Sequence, residues 1–94
     1  MDERLAGLPG AEWVERGLED LAAGRETPAS LLVLVGAPRL RALGLDVPAA
    51  AVAGSPEHAL YALLAAEDPD SAHSRYNALV RRLVSFERAA ECAG

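Results

Sequence analysis

Lysine, isoleucine and glutamine are absent from these 94 residues, and asparagine occurs once, as Asn77. Apart from two histidines, every basic side chain is therefore an arginine. Lys, Ile and Asn have A/T-rich codons, so their scarcity points to a GC-rich genome, and the shortage of amides also fits a thermophile. Cysteine is nearly missing. Cys92 stands alone, which excludes an internal disulfide and the paired Cys/His sets of structural zinc sites, and it reads as a neutral, partly buried small residue. Aromatics number four, Trp13, Tyr61, Tyr76 and Phe86, so any core must be built from aliphatic side chains.

Long apolar runs are missing too. The longest uncharged stretch is Thr27 to Pro38, too short to cross a bilayer as a helix. The chain opens Met-Asp-Glu, without the basic and apolar regions of a secretory leader. These features set the expectation of a cytoplasmic protein with no membrane attachment. A net charge of −5 and an isoelectric point near 4.9 oppose broad attachment to nucleic acid or anionic lipid. The charge is unevenly spread: residues 1–26 carry three Arg against seven acids, and residues 71–88 carry four Arg against one.

What is present is Ala, Leu and Val within a hydrophobic fraction of 51%. That is enough for a folded core, and the length implies one domain over residues 1–94. Gly and Pro punctuate five helical segments. Residues 11–23 place Val14, Leu18, Leu21 and Ala22 on one face, with Gly24 as the stop and residues 2–8 as a helical lead-in. Thr27-Pro28 is a start signal for the continuous apolar segment Ser30–Val35, which a buried strand could also satisfy. Helix is preferred because no second strand offers pairing. Leu31–Val35 should be the most buried continuous stretch. A short third helix, Pro38–Leu43, precedes a linker or loose turn over 45–54. Ser55-Pro56 opens a fourth helix through Ala66, with Leu60, Leu63 and Leu64 inward. Asp70 is the expected N-cap of the longest helix, about Ser71 to Cys92, whose inner face carries Ala72, Tyr76, Leu79, Val80, Leu83 and either Phe86 or Glu87. The predicted fold is all-α, a small bundle of four to five helices with a long C-terminal helix as its central strut.

The residues that could carry chemistry do not assemble into a known motif. His58 and His73 each fall in the first turn of a helix, and no HxxxH or HExxH spacing joins them. A metal-dependent enzyme would need distant carboxylates such as Glu57, Glu67, Asp68 or Asp70. The Glu67–Asp70 turn lacks the glycine and the distal glutamate of an EF-hand loop. No Ser/His/Asp set and no Gly-rich phosphate loop is present. Catalysis is not indicated, and no cofactor or metal is implied. Arg75, Arg81 and Arg82, with Arg39 or Arg41 if the third helix lies near the last, form a candidate anion-binding face. Pairing of these arginines with acids of the same chain competes with that reading. Trp13, Leu83 and Phe86 form a candidate interface, since a thin core leaves apolar surface for a second copy. The leading expectation is a helical protein-interaction or regulatory module, self-associating as a dimer. The alternatives are a nucleic-acid- or phosphate-binding regulator using the Arg face, and a small metal enzyme built on His58 or His73.

Overall fold

Thr27 starts a helix because its hydroxyl and that of Ser30 satisfy each other's backbone. Thr27 Oγ1 accepts from the Ser30 N–H at 3.1 Å, and Ser30 Oγ accepts from the Thr27 N–H at 2.8 Å. This reciprocal cap, with Pro28 in the first turn, resolves the helix–strand ambiguity of the apolar segment in favour of helix. The computed structural model describes residues 3–93. Among them it has six helices: α1 (Glu3–Ala6), α2 (Ala11–Ala22), α3 (Pro28–Val35), α4 (Ala37–Ala42), α5 (Pro56–Glu67) and α6 (Ala72–Ala93).

Six corrects the expected four to five. The additional helix is α1, which Gly7, Pro9 and Gly10 detach from α2. The long C-terminal helix is as expected, at 22 residues. Its place in the bundle is not. The central element is α3, packed against α2, α5 and α6, because all of its sides are apolar. The bundle measures 37 × 25 × 18 Å.

Gly24 and Gly44 end α2 and α4 through the same device. After α2, Gly24 N–H bonds the Leu21 carbonyl and Arg25 N–H the Asp20 carbonyl; after α4, Gly44 bonds Arg41 and Leu45 bonds Leu40. This Schellman pattern requires a left-handed residue, and the two glycines have φ of 74° and 97°. Segment 45–55 contains no helix, despite its run of alanines. Arg41 ties it down, donating from Nε and Nη2 to the Val47 carbonyl at 3.2 and 2.9 Å. The turn into α6 differs from expectation. Asp68, rather than Asp70, organises it, accepting from Asp70 N–H at 3.1 Å and from the Ser71 hydroxyl at 2.9 Å.

The core joins Val14, Leu31, Leu32, Val33, Leu40, Leu60, Leu64, Leu79, Leu83 and Phe86 in one cluster. The continuous buried stretch of α3 is Ala29–Val33, about half a turn earlier than expected. Leu34 and Val35 are half-buried, each lining a surface depression. Two glycines admit the close packing. A Cβ on Gly17 would collide with the Ala29 carbonyl, so α2 and α3 approach at backbone distance. A Cβ on Gly36, the single residue between α3 and α4, would stand 2.9 Å from Leu83 Cδ1 and 3.0 Å from Glu87 Oε2.

Candidate docking groove

That short gap at Gly36 folds the α3–α4 corner down onto α6 and encloses a glutamate. Glu87 is 5% exposed. It lies on the floor of an open groove of about 270 Å³ whose walls are Val35, Gly36, Pro38 and Arg39 on one side and Val80, Leu83 and Val84 on the other. Its carboxylate makes no hydrogen bond within the described residues. No fully enclosed side-chain oxygen or nitrogen is left unpaired among them either. The Glu87 oxygens therefore keep some contact with solvent. Burial raises the carboxyl above the usual glutamate range; Arg39 opposes this, and Glu91 adds to it. Arg39 could neutralise Glu87 but is engaged elsewhere. Its Nε, at 3.1 Å, and its Nη2 both donate to Glu91 Oε1.

A second buried carboxylate shows the opposite arrangement. Asp20, near the end of α2, is 7% exposed. Its Oδ2 accepts from the Thr27 hydroxyl at 2.6 Å, and its Oδ1 accepts from Arg25 Nε and Nη2 at 3.0 and 2.8 Å. The Thr27 and Arg25 hydrogen bonds hold the Asp20 carboxyl below the usual aspartate range. This network joins the C-terminus of α2 to the N-terminus of α3, and every polar atom in it serves the fold.

The residues singled out from sequence are dispersed. Phe86 is fully enclosed and Leu83 nearly so, both within the chain's own core. Only the Leu83 methyls reach the groove wall. Of that expected interface set, Trp13 alone reaches the surface. It is half-buried between two guanidinium groups, those of Arg16 and Arg82, 5.8 and 5.9 Å from its ring centroid. Arg82 is thus drawn toward α2, while Arg75 pairs with Glu67 of α5 at 3.3 Å. Arg81 is exposed and makes no hydrogen bond or ion pair within the described residues. Arg39 does reach α6, but at Glu91, and Arg41 turns to Val47. The five arginines do not converge on one centre.

His58 and His73 are exposed. His58 is held at its backbone N–H by the Ser55 hydroxyl, and His73 Nε2 lies 3.2 Å from Asn77 Nδ2. Among the described residues no three His, Cys, Asp or Glu side chains gather as metal ligands, and no helix is long and apolar enough to cross a membrane. Cys92 is exposed rather than partly buried. Tyr61, 40% exposed, leans on Tyr76 with ring centroids 5.8 Å apart. This α5–α6 aromatic pair went unnoticed in the sequence, where fifteen residues separate its members. Comparisons with protein-family models, with curated proteins and with solved structures gave no match.

Proposed function

We propose that this chain is a helical interaction module without catalysis of its own, and that its docking surface is the groove between the α3–α4 corner and α6. The observation that carries this reading is Glu87. A buried carboxylate without a hydrogen bond costs free energy. Such a group in the isolated chain contributes nothing to stability that leucine or glutamine would not. A partner that donates to it converts the cost into binding energy and specificity. The aliphatic walls supply area to bury, and the half-buried Val80, Val84 and Val35 already form a continuous apolar rim. A dimer of this chain would draw on this groove or on Trp13, because Phe86 and most of Leu83 are occupied in the core.

A photo-crosslinking amino acid at Val84 in living cells tests the reading, with Glu15 on α2 as the control position. Discrete adducts from position 84 and none from position 15 are expected. Adduct patterns indistinguishable between the two positions would remove the groove as the docking surface.

A further inference from the structure

The chemistry of the groove selects among partners, and this step rests on the docking reading above. From Val80 to Glu87 the floor spans seven residues of α6, about 10 Å at 1.5 Å per residue. It is open along its length rather than closed over. Small ligands are usually held in enclosed pockets, whereas an open apolar channel two turns long matches a helix laid into a groove. At one end of the channel stands a carboxylate with no bond. Arg39 lines the same groove, but its hydrogen bonds run from Nε and Nη2 to Glu91, and none reaches Glu87. No side chain of the described residues donates to Glu87, so a donor from a partner, and best a cationic one, would gain a charge-assisted hydrogen bond there. The net charge of −5 favours approach of a basic partner at long range.

An arginine fits better than a lysine. Its guanidinium is planar, less strongly hydrated and able to bond a carboxylate through two N–H groups, so it loses less on entering an apolar channel. Its aliphatic stem can lie along Val80 and Val84 while the head reaches Glu87. We propose that this groove docks a helical segment of another protein that carries one arginine among aliphatic side chains, with the guanidinium donating to Glu87.

The test uses the full chain and two synthetic probes. One is a 14-residue Ala/Leu amphipathic peptide with a single Arg on its apolar face; the other is the same peptide with neutral citrulline in place of that Arg. Binding is followed by backbone amide NMR. The Arg peptide is expected to shift Gly36, Val80, Val84 and Glu87, and to bind about ten-fold or more tightly than the citrulline peptide, the scale of one hydrogen bond to a charged group. Glu87→Gln, a neutral isostere that preserves the packing, should erase that difference. Equal binding of the two peptides would overturn the arginine proposal and leave an apolar docking groove standing. Failure of both peptides to shift the groove would also overturn it. Concentration-dependent shifts at Val84 in the protein alone would identify a second copy as the occupant and likewise overturn the proposal.

Discussion

Asp20 and Glu87 are buried to a similar degree, yet one carboxylate is fully bonded and the other makes no hydrogen bond. Asp20 sits where three nearby residues in sequence, Arg25, Thr27 and Ser30, supply donors or complete the cap. Glu87 sits where distant segments meet, among mostly aliphatic side chains, with Arg39 acting on it through charge and not through a hydrogen bond. The first arrangement strengthens a corner. The second leaves a polar group with no hydrogen-bond donor among the described residues. Burial alone therefore does not tell these two carboxylates apart; the hydrogen-bond inventory does.

Five substitutions break or sharpen this contrast. Leu32→Ala, in the fully buried run of α3, should cost about 2–5 kcal/mol in urea unfolding, whereas Val84→Ser on the groove rim should cost about 1 kcal/mol or less. Equal losses would mean that the groove is part of the core. Gly17→Ala should cost about 1–3 kcal/mol, since its Cβ meets the Ala29 carbonyl and the helices must part; a neutral outcome by calorimetry would show that α2 and α3 are not in backbone contact. Thr27→Ala removes both the cap and a donor to Asp20 and should cost about 1 kcal/mol. Its loss should shrink as pH falls. The Asp20 carboxyl has a lowered folded pKa, so its contribution is complete above the ordinary aspartate pKa of about 3.9 and disappears as pH falls through the folded value. Glu87→Gln has the smallest effect and the opposite sign. Because the folded pKa of Glu87 is raised, the wild-type chain loses stability as pH climbs from the ordinary glutamate value of about 4.3 through that folded pKa. The Gln variant should therefore unfold at a slightly higher temperature than wild type at neutral pH, and the gain should vanish in acid. A lower neutral-pH midpoint for the variant would show that the Glu87 carboxylate already stabilises the chain.

The contrast also marks how far the sequence is legible. The all-α class and the long last helix follow from local signals: Thr27-Pro28, Ser55-Pro56, and the stops at Gly24 and Gly44 each act within a few residues. The helical lead-in expected over residues 2–8 is a helix of its own, α1, which four residues without periodicity could not announce. The central position of α3 was implicit in a segment with no polar face, but the length of α6 drew the role of strut to it. At the site, helical periodicity left Phe86 and Glu87 as rivals for the inner face. Both are buried, Phe86 by the bundle and Glu87 by the α3–α4 corner, and that corner lies about fifty residues away in the chain. Nothing local announces that Gly36 lets the corner close on α6. Trp13 stood one position off its stripe, and only the tertiary fold shows why: it packs between arginines of α2 and α6.

The most direct test follows the side-chain carboxyl carbons of Asp20 and Glu87 by NMR through an acid titration of one sample. The account predicts that Asp20 titrates below the ordinary aspartate range and Glu87 above the ordinary glutamate range. A Glu87 that titrates at or below its ordinary value would show that the chain already satisfies this carboxylate, and would contradict the docking groove.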